Sequence, residues 1–271
     1  MVGQPVKNQI VGLIRFSYPS IGGFKQSQDS DEKTRAYLYD PNRLEQRFRL
    51  FERLTLPSLI KQTDQDMTVL ILTGRDLPHA YSSRLNDLVA GYDWIKIIRY
   101  APRKHYNAIK SAFAEISRDG FTHRTTFRLD DDDAVDMRFI ERLRRTCDDL
   151  AGHLAVTRPT AISFQHGLYV DYRSTPPNLF SATEKTPLSV GTALLAPVDY
   201  TDNIYRRNHR ILGQFFNVFS DCDPPSFIRA IHDHNDCNPG FSGRTGDLSN
   251  QDIDRVLKDH FAISRMDLLA R

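Results

Sequence analysis

The chain of 271 residues has only three cysteines, Cys147, Cys222 and Cys237, and one tryptophan. So small and odd a number of cysteines makes a disulfide framework a poor reading and suits a reducing compartment. Cys222, His232, His234 and Cys237 are zinc-ligand residue types, but their spacing is not that of a common zinc finger, and a structural zinc site is not favoured. An excess of one charge is also missing. The 36 Lys and Arg against 34 Asp and Glu leave a net +2, with no basic run, so nucleic acid is not the expected partner. Long apolar runs are absent too. Met1 to Asn8 is polar, and the apolar stretch Ile10 to Ile14 is too short for a signal-peptide core or a membrane span. The expectation is a cytoplasmic protein with no transmembrane segment.

What is present is ordinary globular composition, 40% hydrophobic and 26% charged. A chain of this length can bury a sizeable core, and no repeat or linker divides it. Branched and apolar runs at Gln9–Phe16, Met67–Leu72, Trp94–Tyr100 and Thr125–Leu129 read as strands. Helical spacing runs from Pro41 or Asn42 through Leu44, Phe48 and Phe51, with Pro57 expected to break or kink it. Further helices are expected over Tyr81–Ala90, Tyr106–Ser117 and Asp136–Leu150, and a polar loop over Ser20–Asp40. Strand and helix thus alternate four times, which predicts an α/β fold with a mostly parallel, right-handed sheet flanked by helices. Beyond residue 150 the pattern is mixed. Ala161–Phe164 and Gly167–Tyr172 read as strands or a hairpin, Leu188–Leu195 as a strand, Phe227–Ile231 as a short helix or strand, and Gln251–His260 as a helix. One domain over residues 1–271 is expected, with halves at 1–140 and 141–271.

Four consecutive aspartates, Asp130, Asp131, Asp132 and Asp133, follow the fourth strand. Like charges packed this closely cannot be cheaply desolvated without a counter-charge. In such sheets ligands sit beyond the C-terminal strand ends, where this run and the loops after Arg15 and Leu72 all lie. If strand alternation continues, Asp130 and Asp132 point one way and offer oxygens to a hard divalent cation, which can in turn carry a diphosphate. A plain solvated loop whose Asp136 caps the next helix, with Val135 and Ile140 as a hydrophobic staple, explains only one acid. Arg15, Arg75, Arg128 and Lys104 lie near the same edge, and guanidinium forks match phosphate, although Lys104 reads better as a surface charge. Tyr18 suits stacking on a nucleobase or a simple turn. His232 and His234, if on a strand, share one side and suit manganese, or are two surface polar residues.

Phe51–Thr63 followed by Thr68–Leu72, with its "TL-SL--QT" phrase, resembles the opening of nucleotide-sugar glycosyltransferases of the GT-A fold. Arg128–Ala134, "RLDDDDA", is similar to their acidic metal motif, and within that fold the nearest resemblance is to the bacterial "putative rhamnosyltransferase" group. The resemblance covers about the first 140 residues and is looser beyond them. It implies a GT-A-like, Rossmann-like nucleotide-sugar half followed by a mixed acceptor half. It also implies a nucleoside-diphosphate sugar donor, a glycan or lipid-linked acceptor, Mn2+ or Mg2+, inversion at the sugar and a place in surface polysaccharide synthesis. By the same resemblance Asp130 faces the ribose or base, Asp132 binds metal with Asp131 as the other candidate, and the segment Ile231–Asn235, with His232 and His234, stands where a late metal-ligand histidine is found. Asp221 and Asp223 fall where the family carries its catalytic base, although the phrase here is Asp-Cys-Asp rather than Glu-Asp and Asp223-Pro224-Pro225 is also strong turn chemistry. Two other classes compete: an aspartate-dependent phosphotransferase, whose acids typically follow the first strand, and a non-catalytic metal- or glycan-binding module.

Overall fold

The computed structural model describes residues 6–22, 30–153, 158–235 and 240–270. Along the chain lie β1 Asn8–Arg15, α1 Asp31–Leu38, α2 Pro41–Leu50, α3 Leu56–Ile60, β2 Thr68–Gly74, α4 His79–Val89, β3 Ile95–Tyr100, α5 His105–Ala114, β4 His123–Asp130 and β5 Ala134–Val135. There follow α6 Phe139–His153, β6 Thr160–Phe164, β7 His166–Asp171, β8 Asn178–Glu184, β9 Ala193–Pro197, β10 Asn217–Asp221, β11 Phe227–Ile231, β12 Gly243–Thr245, α7 Asn250–Phe261 and α8 Arg265–Leu269.

The first sheet has seven strands in the order β10-β6-β9-β4-β1-β2-β3. β4, β1, β2 and β3 run parallel, as the alternation of strand and helix predicts, and β9 runs antiparallel to both β4 and β6. Each central strand is buried on both faces, which is why it reads as an apolar run. On β1, Ile10 and Ile14 belong to one core, and Val11 and Leu13 to the other. The mostly parallel, helix-flanked sheet is therefore the expected GT-A-like plan.

The second sheet has the order β12-β8-β7-β11-β5. Its Leu168, Val170, Leu179, Ile228 and Ala230 pack with Ile253, Leu257 and Phe261 of α7. Successive side chains alternate between faces, so Tyr169, Phe180 and Arg229 point the other way. β6 and β7, adjacent in sequence, lie in different sheets and are not a hairpin. The true hairpin is β7–β8, turned around Pro176-Pro177.

Two local readings need correcting. The Ser20–Asp40 loop contains α1, capped by Ser30, whose side chain accepts the Lys33 N–H, with Asp31 and Glu32 in the first turn. Pro57 does not break its helix. Residues Phe51–Thr55 form a π-turn in which the Leu56 N–H reaches the Phe51 carbonyl, and that wider turn leads directly into α3. Among the described residues no helix is long and apolar enough to cross a membrane.

Gly12 is dictated by packing, since a Cβ there would lie 2.1 Å from the Phe127 ring across the β1–β4 pair. Gly12→Ala is expected to destabilise the chain by roughly 1–3 kcal/mol through overpacking. Urea unfolding measures this, and a variant as stable as the parent would refute the close approach.

Candidate active site

The four aspartates join the two sheets, because β4 ends at Asp130 in the first and β5 begins at Ala134 in the second. Between them the chain turns, with the Asp133 N–H on the Asp130 carbonyl at 3.3 Å. That turn ends the strand alternation, so Asp130 and Asp132 do not share a direction. Asp130 pairs across the sheet with Arg15, its register partner, at 3.4 Å. Asp131 and Asp132 both turn to Arg47 of α2, whose two terminal nitrogens each lie 2.6 Å from one carboxylate. Asp131 is wholly buried and Asp132 4% exposed.

Asp132 Oδ2 also meets His232 Nε2 at 2.9 Å and accepts from Asn235 Nδ2 at 3.0 Å. Burial alone would raise its pKa, but Arg47 and His232 outweigh this and hold it below the carboxylate range. Asp133 shifts the other way. Burial first, and then the neighbouring Asp132, raise it well above the usual value, while its Oδ1 accepts the Ala230 N–H at 3.0 Å. The field of Arg229 reaches both Asp132 and Asp133. Two guanidiniums thus act on three buried acids, of which Asp133 is pushed toward its neutral form.

Asp130 is the one member of the run with appreciable exposure, 24% of its side chain. Around it the sheet edge is cationic. Arg128, two residues earlier on β4, stacks over Tyr205 with its guanidinium carbon 4.8 Å from the ring centroid. Arg15 Nη1 lies 3.0 Å from Nε2 of His105, the first residue of α5. Lys104 precedes that helix without a side-chain cap bond, so the positive end of the helix dipole faces the same region. Burial, then Arg15 and Arg128, push His105 down to about 3, so it is neutral at pH 7. Burial and the fields of Arg128, Arg229 and Arg210 push His209 down to about 2. Ser17, just past β1, has φ 46°, a conformation non-glycine residues rarely adopt, and its hydroxyl accepts from buried Arg43 at 3.0 Å.

Other expected residues fall elsewhere. Tyr18 is 2% exposed and its hydroxyl donates to the Ala101 carbonyl at 2.8 Å, so it presents no face to a nucleobase. Arg75 is exposed on the loop after β2. β11 stops at Ile231, and His232 and His234 lie in the following turn rather than on a strand. His234 lines a different cleft, with Glu45, Arg49 and Arg84. Asp221 ends β10, where Arg142 reaches it at 3.5 Å, and Asp223 is exposed just beyond. β10 stands three strands from β4, about 14 Å at the usual strand spacing, so neither acid is brought to the aspartate run. Asp136 does not cap α6, which begins at Phe139; its Oδ1 accepts the Arg138 N–H at 3.0 Å in the turn before the helix, and burial pushes it up to about 6 despite Arg142. Cys222 is exposed, Cys147 is buried, and Cys237 lies outside the described residues.

Of the expected ligands, Asp132 and His232 meet, whereas Asp130 turns to Arg15 and His234 lines another cleft. Among the described residues no group of three His, Cys, Asp or Glu side chains is arranged to hold a metal ion. A neutral imidazole has one N–H and one lone pair. His232 Nδ1 accepts the His234 backbone N–H at 3.2 Å, which leaves the proton on Nε2, facing Asp132. His232 therefore offers no lone pair to a metal, and Asp132 Oδ2 already holds three donors, Arg47 among them. This arrangement does not fit Mn2+ or Mg2+ at Asp132.

Arg47, His105, His209, Asn235 and Arg229 escape sequence reading because each reaches the site from a distant element. The residues 9–244 match the family model described as "Putative rhamnosyl transferase". The chain belongs to that family and is a glycosyltransferase. Its architecture is distantly similar to that of S. aureus TarS residues 1–349 in complex with UDP-GlcNAc, with TM-score 0.48, 12% identity, and coverage of 95% of this chain and 74% of that one. Against another structure described as S. aureus TarS the TM-score is 0.44 at 11% identity, covering 96% of this chain and 44% of that one. A "putative nucleotide-diphospho-sugar transferase" from Desulfovibrio desulfuricans G20 gives TM-score 0.39 at 10% identity, covering 84% of this chain and 83% of that one. No curated protein sequence matches the chain.

Removing Arg47 leaves two buried carboxylates without their cation. Arg47→Ala is expected to cost roughly 3–5 kcal/mol of stability in denaturant unfolding, and a loss below 1 kcal/mol would show the pair to be solvated. A second expectation concerns acid. His105 and His209 are neutral when folded down to about pH 3 and pH 2 but protonate near 6.5 when unfolded. The unfolded state therefore binds more protons between these limits, and stability falls as pH drops below 6.5. In His105→Gln the slope of thermal midpoint against pH between 4 and 6.5 is expected to flatten, and an unchanged slope would contradict the burial of this ring.

Proposed function

We propose that this glycosyltransferase moves a sugar from a nucleoside-diphosphate donor to a hydroxyl of a glycan or lipid-linked acceptor, with inversion, in surface polysaccharide assembly. The observation that carries the donor class is the edge beyond β1 and β4, where Arg15, Arg128, the start of α5 and one exposed carboxylate, Asp130, meet. Guanidinium groups and a helix N-terminus suit a diphosphate, and Asp130 can accept from a ribose hydroxyl. As the bond from anomeric carbon to phosphate oxygen breaks, negative charge grows on the departing diphosphate. Fixed cations at that point stabilise the transition state more than the ground state. His105, neutral and tied to Arg15, holds that guanidinium in place.

Metal dependence has weaker support. Asp132 and His232 would hold Mn2+ or Mg2+ only if Arg47 moved away and His232 changed its proton. Asp221 and Asp223, as candidate bases, stand across the sheet from Asp130 and lack support from position. An aspartate-nucleophile phosphotransferase is disfavoured because Asp131 and Asp132 are buried against Arg47. Cys147, a buried thiol 3.2 Å from the Thr125 hydroxyl, accords with a cytoplasmic setting.

The test is nucleoside-diphosphate release from a panel of nucleotide sugars, in EDTA and in manganese. Wild-type protein is expected to release diphosphate from at least one donor and to retain nucleotide-dependent thermal stabilisation in EDTA. Arg128→Gln is expected to lower kcat/KM by about tenfold to a hundredfold, the loss of one charge-assisted contact. No release from any donor would sink the donor class. Binding that vanishes in EDTA and returns with manganese would show that Asp132 is freed from Arg47.

A further inference from the structure

We infer that the cleft at the Asp171–Asn178 end of β7 and β8 binds carbohydrate and seats the acceptor as an oligosaccharide; its role as acceptor rests on the glycosyltransferase reading. β7 and β8 pair with Tyr169 opposite Phe180 and Asp171 opposite Asn178, and β11 pairs with β7 with Arg229 opposite Tyr169. Leu168, Val170 and Leu179 alternate with these residues on the α7 side; the face turned away from α7 enters the main core at Tyr169, Ala182 and Phe227, and its Asp171–Asn178 end borders the cleft.

The floor is aromatic. Tyr169 and Phe180 stack at 5.5 Å and 13°, and Phe241 stands edge-on to both at 6.1 Å and 5.6 Å. Phe241 is 47% exposed, a large apolar ring open to solvent. The Tyr169 hydroxyl is held by buried Glu184, which Arg210 and Ser242 also grip, so the platform is fixed before any ligand arrives. Around it Asp171, Arg173, Asn178 and Thr245 form a polar rim, with Arg173 paired to Asp171 at 2.7 Å. The cleft measures about 610 Å³, within the usual range for small-molecule sites.

An aromatic face beside a carboxylate, an amide and a hydroxyl matches a sugar ring, which has one apolar C–H face and a belt of hydroxyls. A lipid tail would leave the charged rim without partners, a cost for any apolar occupant. The cleft also lies in the right place. Ile231 lines it, and the next residue, His232, meets Asp132 at 2.9 Å. An oligosaccharide on Phe180 and Phe241 would have one end directed toward the aspartate junction.

The experiment uses the full chain on an array of bacterial surface oligosaccharides, with phosphatidylglycerol–phosphatidylethanolamine vesicles as a second arm. The variants are Phe241→Ala and the isosteric Asp171→Asn, with circular dichroism and thermal midpoints confirming that each is folded. Wild type is expected to bind a subset of glycans. Phe241→Ala is expected to weaken that binding by about tenfold, as truncation of an aromatic anchor does, and to raise the acceptor KM with less effect on kcat. Asp171→Asn is expected to narrow or shift the glycans bound. No glycan binding at millimolar concentration, or binding unchanged in both folded variants, would overturn the cleft. Vesicle binding abolished by Phe241→Ala would also overturn it, in favour of a lipid. Glycan binding that needs Phe241, in a protein that releases no diphosphate from any donor, would leave the cleft standing and remove the transferase role.

Discussion

Arg47 is the interaction on which the remaining arrangement depends. Its guanidinium leaves α2 and meets Asp131 and Asp132 at the point where the chain passes from the first sheet to the second. Three acids in succession are buried there, and desolvating them without compensation would be prohibitive. The compensation is layered. Arg47 faces two of them, the field of Arg229 reaches Asp132 and Asp133, and burial, then Asp132, push Asp133 well above the usual carboxylate value. Breaking this layer would unpin a junction, because β4 and β5 flank it and β11 pairs with β5.

The same arrangement separates two roles that a run of four identical residues cannot distinguish by composition. Asp131, Asp132 and Asp133 act inward and hold the sheets together. Asp130 alone faces outward, opposed by Arg15 and followed along the edge by Arg128 and the start of α5. A cation is needed wherever acids crowd, and here the chain supplies it from its own α2. The positive charge available to a bound diphosphate then lies on Arg15 and Arg128, side chains of the strands themselves, which a rigid parallel sheet holds in place with little freedom to lose on binding.

The parallel strands were legible because each is buried on both faces and therefore reads as an apolar run, and the aspartates were legible because no core tolerates them by accident. Their order after the fourth strand placed them at the correct edge. Their directions were not legible. Strand alternation applies only while the strand lasts, and β4 stops at Asp130, where the chain turns. Arg47 precedes Asp131 by 84 positions on another element, and no local pattern announces such a pairing. Tyr18 was misread for a related reason: a Tyr-Pro pair looks like an exposed turn, whereas its hydroxyl satisfies the Ala101 carbonyl from within a core. The separation of β6 from β7 turns on Gln165, a single residue between two strands that read as one hairpin. Nothing in their composition assigns them to different sheets.

The two sheets divide by packing rather than by sequence position. Strands from beyond residue 150 complete the first sheet as β6, β9 and β10, so the two halves of the chain are interleaved there. The second sheet packs one face on α7 and most of the other on the main core, and only its Asp171–Asn178 end borders a cleft. Phe180 and Phe241 in that cleft would be a liability unless something covers them, and the polar rim around them limits what that can be. Ile231 of β11 lines the cleft, and β11 is also the strand that pairs with β5. The aspartate junction therefore sets the distance between the diphosphate edge and whatever lies on the aromatic floor. A shift of that junction would move the two substrates relative to each other, which is a physical reason for holding it with a buried guanidinium rather than with a mobile loop.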